Sequence, residues 1–458
     1  MTKPVILWFR QDLRLSDQPA LVAACHDGPV IPVYVLDDDG PGDHAMGGAS
    51  RWWLHHSLTV LGKTLRDKGS RLILGRGRAA DVLARLADES GAETVHAIRH
   101  YEPWWVEAEE ALAGRLDLCL HDGNQLAPPG SITTGAGRPF KIYTPFWRAL
   151  SQHMPPDDPI RAPAKIPAPS KWPTTEALGS WDLLPNRPNW ATCFSDWDPG
   201  EAGAHKRLDQ FVGEAADYEA TRNLPSQEGT SRLSPHLHFG EITPRQIWHR
   251  VVGEGGSVRT FLGEIGWRDY AQGILLQYPD VGRKSSREPF EKMPWRTGKA
   301  AKADLRAWQR GRTGYPIVDA GMRQLWATGW MHNRVRMIAA SFLIKHLLID
   351  WREGERWFWD CLVDADYGNN GVNWQWTAGT GVDSNMFPRI MAPLSQSEKF
   401  EAADYIREWV PELADLTDDV IHDPEKAGCR PDSYPEKLIG HKEARERALA
   451  AYGKTKRA

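Results

Sequence analysis

In the N-terminal part of the chain, short apolar runs alternate with segments whose apolar residues recur every three or four positions. Residues 5–9, 30–36, 71–74 and 94–98 are short and rich in β-branched or aromatic side chains, which predicts buried strands. Residues 19–25, 52–68 and 79–90 carry helical spacing between them. Such alternation implies a parallel sheet with helices on both faces, a layout that binds ligands beyond the carboxyl ends of its strands. No GxGxxG follows the first run, so a dinucleotide fingerprint is not supported. Gly75-Arg76-Gly77-Arg78 matches neither that pattern nor a P-loop and reads as a basic turn rather than a phosphate cradle.

The pattern changes after residue 150. Ten of the 33 prolines fall in 151–200, and 153–159 and 163–173 cannot hold long regular elements, which predicts a long connection wrapping a surface. Beyond it the strand signal fades. Helical windows cover 205–222, 244–252, 257–278, 304–311, 319–328, 333–349 and 355–363. Mixed charges from Glu436 onward predict a solvated terminal helix. The expected division is an α/β unit over 1–130, a Pro-rich linker over 131–200 and a helical unit over 201–458, in line with the prior for this length.

Composition narrows the functional classes. Hydrophobic residues make up 41% and charged residues 25% of the 458, enough to bury sizeable cores. With a formal net charge of −4, a polyanion needs a local basic patch rather than a global field. Cys25, Cys119, Cys193, Cys361 and Cys429 form no CxxC pair, which argues against an iron–sulfur cluster, a zinc ribbon or a disulfide framework and fits a reducing cytoplasm. The best apolar stretch, 337–348, is cut by Lys345 and His346, and charges follow residues 5–9 at once, so neither a membrane span nor a signal peptide is expected. The outlying number is 22 Trp against 11 Tyr and 12 Phe. Core packing accounts for many of them; stacking on flat rings and electron hopping between indoles also demand aromatic systems.

Four clusters in the helical part carry candidate chemistry. Phe261, Glu264, Trp267 and Arg268 share a helical face beside Gly263 and Gly266, which let a backbone or a flat ligand approach closely; the plainer reading is a surface Glu264–Arg268 pair. Asn333, Arg336, Met337 and Ala340 form a second face too polar for a simple core, with His332 beside it as a structural histidine. The run from Asp364 to Trp376 sets two carboxylates before a Gly/Asn stretch. It lacks the Glu that closes a calcium loop, so no metal is expected; flanking indoles point to an aromatic ligand, or else the carboxylates cap a helix. Thr230-Ser231-Arg232-Leu233-Ser234 brings hydroxyls and amides ahead of a helix, suited to a pyrophosphate or serving as an N-cap. Their sum favours a large flat redox cofactor.

The strings TSRLSPHLHFGEITP, WRTGKAAKADLRAWQRGRTGYPIVDAGM, TGWMHNRVRM and DWREGERWFW…DADYGNNGVNWQW are specific enough for a further step. Through them the chain resembles the DNA photolyase/cryptochrome family over essentially its full length, and most of all the class I cyclobutane pyrimidine dimer (CPD) photolyases. The resemblance implies a Rossmann-like α/β antenna-type domain followed by an all-α domain that holds FAD in a bent form. It matches Tyr218, Thr230, Ser231, Arg232, Leu233 and Ser234 to the phosphate side of the flavin. Glu264, Arg268, Trp330, Asn333, Arg336, Asp364 and Asp366 match the pocket around isoalloxazine and adenine. Asn370 matches the position beside the reactive ring nitrogen, where an amide meets the reduced, anionic flavin without adding negative charge. Trp374, Trp351 and Trp295 match a chain of indoles that reduces photoexcited flavin from the surface.

By the same resemblance, Glu264, Trp267, Asn333, Met337 and Trp376 form a pocket for the cyclobutane dimer. Relatives acting on (6-4) lesions carry histidines at the places of Asn333 and Met337, and plant-type cryptochromes usually carry Tyr at that of Trp376. The implied function is light-driven repair of UV-damaged DNA, with the lesion flipped out of the duplex and one electron passed from excited FADH⁻ and returned. Arg222, Arg334 and Arg389 match positions that hold phosphates flanking the lesion, and Trp267 and Trp376 share the DNA contact, so binding is expected to weaken with salt. A cryptochrome-type blue-light receptor is the alternative. Phe261 stands where many relatives have Trp, and the loop 386–391 departs from the common pattern. Tyr101-Glu102-Pro103-Trp104-Trp105 lacks the Asn-Glu pair of folate-binding relatives, which leaves folate, a deazaflavin or an empty antenna site. A monomer with no membrane association and no obligate protein partner is expected.

Overall fold

Apolar runs that no polar residue interrupts can be strands only where both sheet faces are covered. The computed structural model, which describes residues 2–253, 258–383 and 387–455, has that arrangement. β1 (Val5–Phe9), β2 (Val30–Leu36), β3 (Ile73–Arg76), β4 (Thr94–Ile98) and β5 (Asp117–His121) form one parallel sheet in the order β3-β2-β1-β4-β5. β1 and β2 are buried along their whole length. The crossovers are α1 (Pro19–Asp27), α2 (Gly48–Asp67), α3 (Ala79–Ser90) and α4 (Pro103–Leu112). β3 starts two residues later than its apolar run because it pairs with the second half of β2, from Val33 to Leu36, which carries it on through Gly75 and Arg76. β5 escapes a search for apolar runs. It is an edge strand, half-exposed, and its sequence DLCLH is short and polar at both ends.

After α5 (Tyr143–Leu150) the proline-rich 151–200 runs as loops and single 3-10 turns. The helical part follows: α6 (Glu201–Glu214), α7 (Tyr218–Thr221), α8 (Ser234–His238), α9 (Pro244–Val252), α10 (Arg259–Gln277), α11 (Gly298–Gln309), α12 (Pro316–Thr328), α13 (Asn333–Ser341), α14 (Trp351–Cys361) and α15 (Tyr367–Ala378), then shorter helices and a final helix, His441–Thr455. The window 257–278 begins at Ser257, which lies outside the described residues. The window 333–349 is not one α-helix: Phe342–His346 widens into a π-turn whose five side chains are all buried. The final helix is more than a solvated one. Ala444, Ala448 and Ala451 are buried at positions i, i+4 and i+7, a narrow alanine stripe that packs against that π-turn.

Buried polar links join sheet and helices. Arg14 donates to Gly240 O (3.0 Å) and Asn124 Oδ1 (2.8 Å). Asp17 accepts from the Thr243 hydroxyl (2.6 Å) and pairs with Arg245 (2.9 Å). At another point α2 meets the C-terminal end of α14: Gly48 N–H donates to Asp360 Oδ1 (2.9 Å) and Ser50 Oγ to Leu362 O (3.0 Å). Only glycine fits at 47, where a Cβ would lie 2.4 Å from Trp359 O. Among the described residues no helix is long and apolar enough to cross a membrane.

Candidate functional site

Four helices, α10, α13, α14 and α15, converge on a cavity of about 510 Å³. The starts of three of them are fixed by side-chain caps. His332 Nδ1 accepts from Arg334 N–H at the head of α13 (3.2 Å), Asp350 from Arg352 N–H at α14 (3.0 Å), and Asp366 from Asn369 N–H at α15 (2.7 Å). Asp366 thus answers to both expectations for its cluster, since it caps a helix and also lines the cavity.

The cavity gathers most of the residues singled out from sequence. Tyr218, Arg222, Ser231, Ser234, Glu264, Trp267, Arg268, Asn333, Arg334, Arg336, Met337, Asp364, Asp366, Asn370, Trp374 and Trp376 line it. Thr230, Arg232 and Trp330 do not. They line a second cavity, of about 550 Å³, across the 230–232 segment, where the Arg232 guanidinium sits 5.0 Å over the Trp330 ring. Arg207 clamps that segment from the same side through Ser231 O (2.8 Å) and Thr230 O (3.0 Å). Leu233 is buried in the hydrophobic core. Trp351 is fully buried outside the cavity, Trp295 is half-buried against the core, and Arg389 is exposed, its carbonyl accepting from Lys345 Nζ (2.9 Å). Of the loop 386–391, Met386 lies outside the described residues, while Phe387 is buried against Phe290 and Tyr452.

The charges are paired differently from the simple i,i+4 expectation. Glu264 pairs with Arg222 (2.5 Å), whereas Arg268 reaches Asp366 (3.2 Å) and Leu237 O (2.9 Å). Arg336 takes Asp364 with both Nη atoms (3.1 and 2.8 Å) and Met331 O with Nε (2.7 Å). Burial alone would raise the Asp366 pKa, but Arg268, His238 and hydrogen bonds from Asn369 hold it below the usual carboxylate value. His238, facing the same carboxylate, is pushed down to about 4 by burial, so it is neutral near pH 7. The Arg268 Nε is buried with no partner among the described residues. Two carboxylates paired with two guanidiniums form a polar floor fit for a heteroaromatic ligand.

Several contributors were invisible from sequence. Glu355 is fully buried; its Oε1 accepts from Asn370 Nδ2 (2.9 Å), and both its oxygens lie 3.3 Å from His44 Nε2 of the sheet unit. The available signal was a carboxylate at i+4 from Trp351 and i−3 from Phe358, within an otherwise apolar stripe. The flat partner allowed by Gly263 and Gly266 is supplied by the protein itself. A Cβ at 266 would lie 2.4 Å from the Trp147 ring, and Tyr143 Oη donates to Gly263 O (2.5 Å). Trp374 rests on Gly354, where a Cβ would sit 2.2 Å from its ring, one helical turn from Trp351. Its ring neighbours are Phe358 (4.9 Å) and Trp308 (6.4 Å). Trp104 and Trp105, beside the expected antenna position, pack inward against Tyr367 and Trp8.

Residues 5–169 match the family described as DNA photolyase, and residues 261–454 match the FAD binding domain of DNA photolyase. The chain is 47% identical to a deoxyribodipyrimidine photo-lyase of Agrobacterium fabrum over 100% of its own length and 99% of that protein's. It is 36% identical to cryptochrome-1 of Arabidopsis thaliana, covering 96% of this chain and 69% of that one. A crystal structure of a bacterial class III photolyase from Agrobacterium tumefaciens superposes with a TM-score of 0.94 at 46% identity, covering 100% of this chain and 98% of the other. With an α/β sheet unit followed by a helical unit that matches the FAD binding domain, the chain belongs to the DNA photolyase/cryptochrome family.

Proposed function

We propose that the protein is a deoxyribodipyrimidine photo-lyase: with FAD, it splits cyclobutane pyrimidine dimers in UV-damaged DNA by light-driven electron transfer. The observation that carries this reading is that one cavity contains both the Arg–Asp floor suited to the flavin and the side chains suited to the lesion. The donor set fits FAD. Arg268, Arg336, Asp364 and Asp366 offer donors and acceptors of the kind two heterocycles need, and Tyr218, Ser231 and Ser234, lining the same cavity, would offer hydroxyls to phosphates. With Asn370 Nδ2 committed to Glu355, its Oδ1 remains to accept a ring N–H. When bound and reduced, the flavin supplies the photoexcited one-electron donor.

The chain's own residues do the rest. Trp267 and Trp376 present ring faces to a flipped, crosslinked dinucleotide, and Glu264 presents a carboxylate to a pyrimidine edge. Asn333 and Met337 bring no acid, which suits a ring that opens without protonation. Burial lowers the Arg334 pKa, and repulsion from Arg222 adds to it, so a backbone phosphate between them relieves both strains. A phosphate on Arg222 also releases Glu264 from its ion pair. Trp374 rests on Gly354, one helical turn from Trp351, and the proposed electron route runs from Trp374 through Trp351 to Trp295. Within the family we assign the chain to class III rather than the class I expected from motifs, on its likeness to the Agrobacterium tumefaciens structure.

The test is illumination of the reduced holoprotein with duplexes carrying either lesion. Dimer duplexes are restored and (6-4) duplexes are not. Repair of (6-4) lesions alone refutes the substrate assignment, and flavin photochemistry without any repair leaves the cryptochrome-type reading. The absorption spectrum of the same sample reports whether folate or deazaflavin accompanies the flavin.

A further inference from the structure

We infer that Tyr143, at the start of α5 and outside the cavity, is a positioning residue that fixes Trp267 as a wall of the lesion pocket. The inference rests on the lesion-pocket reading above. The Tyr143 and Trp267 rings stack with centroids 3.7 Å apart and planes 12° from parallel. Tyr143 is itself tied at two points: its hydroxyl donates to Gly263 O (2.5 Å) in α10, and its N–H donates to Asp383 Oδ2 (3.0 Å) in the turn after α15. One helical turn on, Trp147 fills the notch over Gly266, so α5 cannot slide along α10 without a clash. Tyr270 closes the edge of the Trp267 ring at 5.4 Å, nearly perpendicular. One indole face is thus covered by protein, and Trp267 borders the cavity.

An indole already held in place loses no rotamer freedom when a base stacks on it, whereas an unsupported one must be ordered by the ligand. A segment that leaves the sheet unit thereby sets affinity for damaged bases without touching them. In the dark, the oxidised Tyr143→Leu holoprotein is expected to bind a dimer-containing duplex about tenfold more weakly than wild type, by the cost of ordering one large side chain. Affinity for undamaged duplex, flavin content and salt slope are expected to be unchanged. Tyr143→Phe, which keeps the stack and loses only the hydroxyl, restores binding to within about twofold. Adding Tyr143→Leu to Trp267→Leu is expected to cost nothing more.

If Trp267→Leu weakens lesion binding while Tyr143→Leu does not, the inference fails and the pocket stands; if Trp267→Leu itself has no effect, the pocket reading fails. Equal loss in Phe and Leu variants assigns the effect to the hydroxyl and overturns the stacking argument. Should the Leu variant not accumulate with flavin, Tyr143→Met supplies the ring-free variant for the same comparison.

Discussion

In the sheet unit, Arg14 is fully buried and every guanidinium nitrogen has a carbonyl or amide oxygen to meet, from Asp17, Gly123, Asn124 and Gly240. In the helical unit, Arg268 has Asp366 and Leu237 O for its Nη atoms and no partner for Nε among the described residues. Both cations are taken out of water, at a desolvation cost that only good partners offset. The first is saturated inside the fold and acts as a fastener. The second has a buried Nε with no partner among the described residues, and its side chain lines the cavity.

Substituting each arginine tests this contrast, and the largest effect is expected there. Arg14→Leu and Arg268→Leu each strip a buried partner network and should cost about 3–5 kcal/mol in unfolding. Arg14→Leu chains that still fold should carry a full complement of flavin, and Arg268→Leu chains should purify nearly colourless; stoichiometric flavin in the latter would show that Arg268 is only a fastener too.

Next in size is a group that bridges the two regions. Burial, and then repulsion from Asp366, pushes Glu102 up to about 7. Between its ordinary value near 4.3 and about 7 the folded chain holds a proton that the unfolded chain has released. Stability should therefore fall as pH rises through that window, by up to about 3 kcal/mol, and level off above it. Urea titrations of Glu102→Gln from pH 4 to 8 should lose that slope; an unchanged slope would assign it elsewhere.

Trp351→Phe should slow photoreduction of oxidised flavin by roughly tenfold or more, about 1.4 kcal/mol in barrier, while chemically reduced protein repairs normally. Undiminished photoreduction removes Trp351 from the route, and the ring contact of Trp374 with Trp308 then becomes the next branch to substitute. The smallest effect is expected of Met337→His, about fivefold weaker dimer binding in a dark titration; no change would take Met337 out of the lesion pocket.

How much of this was legible in the sequence follows from the same contrast. The buried strands β1 and β2 could be read to the residue, because covering both sheet faces leaves uninterrupted apolar runs; β4 was read to the residue as well, although His96 breaks its run. β5 could not, since an edge strand is not asked to be apolar. In the helical unit, the residues of α10, α13 and α15 were legible as polar faces beside Trp. Which charges pair was not: Arg268 takes Asp366, nearly a hundred residues away, instead of Glu264 one turn back. Glycines at 263 and 266 signalled a flat neighbour without saying that α5 provides it. Thr230 and Arg232 sit in the adjoining cavity while Ser231 between them lines the first, because successive side chains of an irregular segment point opposite ways, something no periodicity encodes; Trp330 enters that cavity from the loop before α13.

The Arg14 link has a practical corollary for anyone hoping to trim the molecule to a smaller light-driven module. Severing the chain before α6 would take one acceptor, Gly240 O, from Arg14 and leave the Asp17 carboxylate without Thr243 and Arg245. A helical fragment expressed alone would in turn expose the surface those groups now seal. Miniaturisation must carry the first strand's polar turn with it, or replace that turn with an apolar plug of matching shape.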